Sequence, residues 1–248
     1  MIGIIGYGFV GKAVEFAFKN AQILICDPEY SVLTVKDLAY SSCEAIFVCV
    51  PTPTDDTNYQ TLKDVLDIIK ETEYKGIVVV KSTVLPQHLE GYDVVYNPEF
   101  LSRATANSDF TNPPMMIIGG DSEKAERLVS IYKQYSTVQT DKVFLTDIKT
   151  ASLAKYAMNS FYATKITFMN QLFDVAGQIG VEWDDVKLIL SNHPWMGTHH
   201  FDVPGPDGER GFGGPCLPKD TEALTKYYDL PLLQEVLKLN TEYRKKGP

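Results

Sequence analysis

The sequence predicts an α/β protein: a doubly wound parallel sheet over residues 1–146, followed by an all-helical region over residues 147–248. Three observations carry that prediction. A glycine-rich turn, Gly6-Tyr7-Gly8-Phe9-Val10-Gly11, joins the first apolar run to the first amphipathic one. Short, near-continuous apolar runs then alternate with helical periodicities, as strands buried on both faces require. From Asp147 to Gly180 there is no proline, and the only glycines are Gly177 and Gly180.

Taken in order, Ile2–Ile5 reads as a strand, Ala13, Val14, Phe16, Ala17 and Phe18 as one helix face, and Ile23–Cys26 as a strand ending at Asp27. Strand, glycine turn, helix, strand and acid follow in the order of a Rossmann-type domain. Gly6 permits the tight turn, Gly8 lets a pyrophosphate reach the backbone, and Gly11 allows close helix packing. Asp27, 16 residues after Gly11, suits the ribose hydroxyls and repels a 2′-phosphate, so NAD is expected rather than NADP. Tyr7, Phe9 and Val10 join the cofactor set. Ala45–Val50 is the next strand, ending in Pro51-Thr52-Pro53-Thr54; Leu62, Val65, Leu66, Ile68 and Ile69 mark a helix. Gly76–Lys81 leads into Ser82-Thr83-Val84, and Asp93–Tyr96 into Asn97-Pro98-Glu99-Phe100. Met115–Gly119, a helix from Ser122 to Tyr135 and a strand over Val143–Leu145 complete the domain. Ligands of such sheets lie beyond the carboxyl ends of the strands, which points to the clusters at 51–54, 82–83 and 97–103.

In the second region, Leu153 to Leu172 recur at helical spacing, giving one helix of about thirty residues. Lys155 and Asn159, four apart, share a face of it. Shorter helices are expected over Glu182–Ser191, Thr221–Tyr228 and Leu232–Lys246. The loop between them holds Gly211-Phe212-Gly213-Gly214-Pro215-Cys216-Leu217-Pro218-Lys219-Asp220. Three glycines open the backbone to close approach by a ligand, and a cation beside Cys216 favours the nucleophilic thiolate. His193, His199 and His200 lack a matching ligand at metal spacing, so no metal is expected.

Composition narrows the function. With 23 basic and 32 acidic residues the net charge is −9, against a broad nucleic-acid surface. No apolar run approaches the ~20 residues of a membrane span. Met1–Gly11 lacks a signal peptide's basic region, and Cys26, Cys43, Cys49 and Cys216 form no C-x-x-C pair, which suits reduced thiols in the cytoplasm.

With GYGFVG, TPT, KSTV, NPEFL, AKYAMN and GFGGPCLPKD in this order, the chain resembles the UDP-glucose/GDP-mannose dehydrogenase family over essentially its whole length. The resemblance implies oxidation of a sugar primary alcohol to a carboxylate by two NAD⁺, with UDP-glucose or a related nucleotide sugar as substrate. It implies Cys216 as nucleophile, Lys155 and Asn159 as oxyanion donors, Asp220 and Thr83 as holders of a water, and Glu99 as general base. Lys219, Thr52, Thr83, Val50 and Pro51 would line the cofactor. Glu99, Phe100, Leu101, Arg103, Lys155, Asn159, Arg210, Phe212 and Gly213 would line the substrate, Arg210 at phosphates of its own or a partner subunit in a homodimer. Two departures stand out. Arg103 occupies the place of a second family glutamate. The last helix ends where the family continues into a second nucleotide-binding domain, so the chain reads as a short version or a fragment. Rival readings are a silent NAD- or nucleotide-sugar-binding module, and a two-electron hydroxyacid-type dehydrogenase with no need of Cys216.

Overall fold

The computed structural model describes residues 1–53 and 59–247. Thr54, the last of the polar cluster at 51–54, lies outside them, as does Pro248. The chain forms two compact units, Met1–Lys155 and Tyr156–Pro248.

Among its described residues the first unit has seven strands: β1 (Ile2–Ile5), β2 (Ile23–Cys26), β3 (Ala45–Val48), β4 (Ile77–Val80), β5 (Val95–Tyr96), β6 (Met116–Gly119) and β7 (Val143–Thr146). They form one sheet in the order β2-β1-β3-β4-β5-β6-β7. The parallel register is set by Ile2 against both Ile23 and Ala45, and by Ala45 against Ile77. Strands β1, β3 and β4 are buried along their whole length, the reason their sequences do not alternate. Helices α1 (Phe9–Ala17), α2 (Val35–Ala39), α3 (Gln60–Glu71), α4 (Ala106–Thr111) and α5 (Ser122–Tyr135) cover the sheet. Phe18, Phe47 and Tyr132 meet with ring centroids 5.1–5.9 Å apart in its core. Helices α2 and α4 went unanticipated because one turn and a half is too short to show a period; only the Thr34–Asp37 capping box announces α2.

One strand pair departs from the all-parallel reading. β6 runs antiparallel to β5, pairing Gly119 with Tyr96, and β7 follows β6. The chain therefore stays at the carboxyl end of β5 through residues 97–115 and re-enters the sheet from there. That keeps Asn97–Arg103 at the end where ligands bind.

Helix α6 (Ile148–Ile179) runs 32 residues, starts in the first unit and continues into the second. The second unit adds α7 (Trp183–Ser191), α8 (Leu217–Tyr227) and α9 (Pro231–Lys246). Its apolar clusters are Met169, Ala176, Trp183, Phe201 and Val203, and Ala163, Phe212 and Val236. Helix α8 begins four residues earlier than expected. Pro218 reads as loop in a sequence, yet proline is at home in a first turn, where its missing N–H costs nothing. The early start makes Cys216 the residue that caps the helix.

Candidate active site

The glycine turn is built by backbone meeting backbone. A Cβ on Gly6, where φ is +87°, would lie 2.9 Å from the Cys49 carbonyl, and one on Gly11 would lie 2.2 Å from the Gly6 carbonyl oxygen. At Gly8, which precedes α1, a Cβ would meet nothing within 4 Å. The start of α1 has no side-chain cap and no acidic residue in its first turn. Its N–H groups are thus left without a capping side chain, as suits the binding of an anion such as a diphosphate. Asp27 accepts hydrogen bonds from the Tyr7 N–H (2.7 Å) and the Glu29 N–H (2.9 Å), one on each oxygen. Each oxygen keeps a lone pair for a ribose hydroxyl. These residues fit the dinucleotide. Tyr7 also bonds Glu15, and Lys12 donates to the Tyr30 hydroxyl.

Beyond β3 and β4, the Thr52 hydroxyl donates to the Thr83 carbonyl (3.0 Å) and the Ser82 hydroxyl to the Val50 carbonyl (2.6 Å). Beyond β5, Glu99 accepts from the Leu101 N–H (2.7 Å). Lys155, buried to 3% exposure, donates to the Glu99 carbonyl oxygen at 2.6 Å, lies 3.7 Å from its carboxylate and sits over the Phe100 ring. Arg103 stacks on Phe9, the first residue of α1. Beneath this segment Lys81 donates to Asn97 Oδ1 (3.0 Å), which also accepts from the Tyr132 hydroxyl (2.7 Å). Burial pulls the Lys81 ammonium down to about 8 and pushes the neighbouring Cys49 thiol up to about 12.

In the second unit Cys216 is half-buried at the N-terminus of α8, where the helix dipole favours negative charge. One turn on, Asp220 is 1% exposed, and its carboxylate accepts from the Asn159 amide and pairs with Lys219. The buried hydroxyls of Ser160 and Thr221, the next residues after Asn159 and Asp220, have no hydrogen-bond partner among the described residues. Two of the three glycines before Cys216 are crowded by α9, while a Cβ on Gly214 would meet nothing within 4 Å. A Cβ on Gly211 would lie 2.3 Å from Asn240 Oδ1, and one on Gly213 1.8 Å from Arg244 Nη2. Asn240 grips Phe212 at both its N–H (2.6 Å) and its carbonyl (3.0 Å), and Arg244 adds a bond to that carbonyl. Arg210, the expected phosphate contact, is committed to Asp174 (2.7 Å) and Asn170 and stacks on Phe173 and Tyr243.

The first unit therefore brings together Gly6–Gly11 with Asp27, Thr52 with Thr83, and Glu99 with Phe100, Leu101 and Lys155. The second gathers Asn159, Lys219 and Asp220 one turn along from Cys216. Sequence reasoning missed Lys81, Asn97 and Tyr132, and the grip of Asn240 and Arg244. Lys81 had a signal: a lysine closing the apolar run IVVV is a charge delivered into a core. Among the described residues no three His, Cys, Asp or Glu side chains gather as a metal site, and no helix is long and apolar enough to cross a membrane. Lys165 holds the histidine loop through the Met196 and His199 carbonyls.

Two family models match this chain. Residues 28–136 match the NAD binding domain, and residues 149–242 the central domain, of the UDP-glucose/GDP-mannose dehydrogenase family. The chain belongs to that family. The match to the NAD binding domain starts just past Asp27, so the glycine turn stands on its own geometry. A UDP-glucose 6-dehydrogenase of Rickettsia felis is 33% identical over 81% of this chain and 48% of its own length. A GDP-mannose 6-dehydrogenase of Pseudomonas syringae pv. tomato is 29% identical over 82% and 52%. The structure of a UDP-glucose dehydrogenase from Pyrobaculum islandicum superposes with a TM-score of 0.82 at 25% identity, covering 97% of this chain and 68% of that one. This family member spans about half the length of the curated relatives it matches.

Proposed function

We propose that this chain, alone or as the catalytic part of a longer protein, carries out the NAD-dependent oxidation of a nucleotide-sugar primary alcohol to the uronate, with UDP-glucose as first candidate. The single observation that carries the reading is Cys216 at the start of α8, one turn from an Asp220 carboxylate held by Asn159 and Lys219. Bound NAD⁺ would supply the hydride acceptor for each of the two oxidations.

In the first oxidation the sugar hydroxyl gives its proton to a water assigned to Asp220 and Thr83, and its carbon becomes an aldehyde. The Cys216 thiolate adds to that carbon, forming a C–S bond as the C=O π bond opens, and the oxygen takes the proton back from that water to give a thiohemiacetal. Lys155 and Asn159 donate to the oxygen on which charge develops. Loss of the second hydride and the hydroxyl proton leaves a thioester. Glu99 then takes a proton from water, the hydroxide adds to the thioester carbonyl, and the C–S bond breaks to give the carboxylate and free thiolate. Asp27 and the turn Gly6, Tyr7, Gly8, Phe9, Val10 and Gly11 hold the cofactor, with Val50, Pro51, Thr52, Thr83 and Lys219 toward its nicotinamide. Phe100, Leu101, Arg103, Phe212 and Gly213 face the sugar nucleotide. Arg210 braces the loop through Asp174 and Asn170 and is the proposed contact for the nucleotide phosphates.

Helix α6 exposes Phe161, Phe168, Val175 and Ile179, a stripe at spacings of seven, seven and four, and α7 exposes Leu188 and Ile189. Such a surface supports a homodimer. The proposed location is the cytoplasm, where thiols stay reduced. Incubation with NAD⁺ and UDP-glucose tests the reading by counting NADH formed per sugar. Two per sugar, abolished by Cys216→Ser, upholds it. One per sugar, insensitive to that change, replaces it with a two-electron dehydrogenase, and saturable NAD⁺ binding without turnover with a silent module.

A further inference from the structure

Lys81 ends the IVVV run of β4 and is 3% exposed. Burying an ammonium is costly, and an apolar side chain of similar volume serves a purely structural position better. Lys81 nevertheless forms no ion pair among the described residues. Among the described residues the one hydrogen bond of its ammonium runs to Asn97 Oδ1, with the Phe110 ring 5.0 Å away. Asn97 is itself held at three points: it accepts from Lys81 and from the Tyr132 hydroxyl, and its Nδ2 donates to the Ile117 carbonyl of β6 at 2.7 Å. Two residues later comes Glu99, its carboxylate fixed by the Leu101 N–H and faced by Lys155. A cavity of about 30 Å³ lies against this arrangement, walled by Lys81, Asn97, Glu99, Phe110, Met116 and Tyr132.

We propose that Lys81 is a positioning residue for Glu99: through Asn97 it fixes the turn that presents the carboxylate, and the turn responds to the charge on Lys81. The proposal rests on Glu99 as the base of thioester hydrolysis. Burial brings the loss of that charge to about pH 8. The titratable groups facing it are Cys49 at the end of β3, Glu99, Lys155 of α6, Tyr132 of α5 and Asp109 of α4. Burial holds the Cys49 thiol and the Tyr132 phenol well above their ordinary values, so both stay neutral while Lys81 changes charge.

The test follows the Asn97 side-chain amide and the Leu101 backbone amide by ¹⁵N NMR against pH in the full chain. The wild type should show an inflection near pH 8 at both. In Lys81→Arg, which keeps its charge, the inflection should vanish with the resonances at their low-pH positions; in Lys81→Met it should vanish with them at the high-pH positions. Persistence of the inflection in either variant overturns the proposal, and should the methionine variant not fold, the arginine variant decides. A second arm measures, by mass spectrometry, acylated Cys216 during turnover. Slower hydrolysis should raise its steady-state fraction about fivefold or more in Lys81→Met and about twofold or less in Lys81→Arg. Equal fractions in all three proteins sink the proposal. No acylation in the wild type sinks the reaction instead, and the Asn97 and Leu101 titration then decides on Lys81 alone.

Discussion

Two glycine-rich segments carry the proposed chemistry, and they owe their glycines to different causes. In the first unit Gly6 and Gly11 are crowded by backbone, the Cys49–Val50 peptide and the Gly6 carbonyl, and Gly8 is left open. In the second unit Gly211 and Gly213 are crowded by the side chains of Asn240 and Arg244, which lie more than 25 residues further along the chain. Backbone cannot retreat, whereas the end of an arginine can. The turn is therefore a rigid cradle, and the loop before Cys216 is held by a grip that can be loosened.

The largest effect expected from that contrast is at Gly11. Gly11→Ala sets a Cβ against the Gly6 carbonyl and should cost about 3 kcal/mol or more in denaturant unfolding, taking NAD⁺ binding with it. A cost near that of an ordinary surface change would erase the distinction. Gly213→Ala should cost about 1–2 kcal/mol, because Arg244 can swing aside at the expense of its bonds to Asp207 and Phe212. In an Arg244→Ala background the same change should cost little, and additive effects in the double-mutant cycle would show that the arginine is not the obstacle.

Titration separates the two regions further. Lys81 has a folded value lowered from 10.5 to about 8, so the unfolded chain binds more protons above pH 8 and stability rises with pH. Cys49, raised from 9.0 to about 12, acts oppositely above pH 9, where the unfolded chain loses its proton first. A gain of about 1 kcal/mol between pH 8 and 9, levelling beyond, is expected, and Lys81→Arg should flatten it. The second unit responds at the acid end. Arg244 holds the Asp207 carboxyl below its ordinary 3.8, so the pair stabilises above that pH and is lost as pH falls through the folded value. Hydrogen exchange at Gly211 and Gly213 should accelerate there, while the amides of the Gly6–Gly11 turn hold. The smallest change in stability belongs to Gly8→Ala, within about 0.5 kcal/mol since the added methyl meets no neighbour. Its NAD⁺ affinity should still fall about tenfold or more, because the methyl occupies the space a diphosphate needs. Unchanged affinity would mean the cradle holds something else.

By itself the sequence determined the elements whose cause is local. Buried strands announce themselves as apolar runs, the 32-residue helix as a period without proline, and the dinucleotide turn as glycines at fixed spacing between strand and helix. The motifs KSTV, NPEFL and GFGGPCLPKD, through the family they resemble, are what put Thr83, Glu99, Cys216 and Asp220 forward as site residues. Only tertiary structure decided the reversal of β6, since an apolar run reads the same in either direction. The bonding of Lys81 to Asn97 and Tyr132, and the hold of Asn240 and Arg244 on the loop before Cys216, were likewise settled by folding. Those contacts join residues 16 to 35 positions apart, far beyond the reach of any helical or strand period.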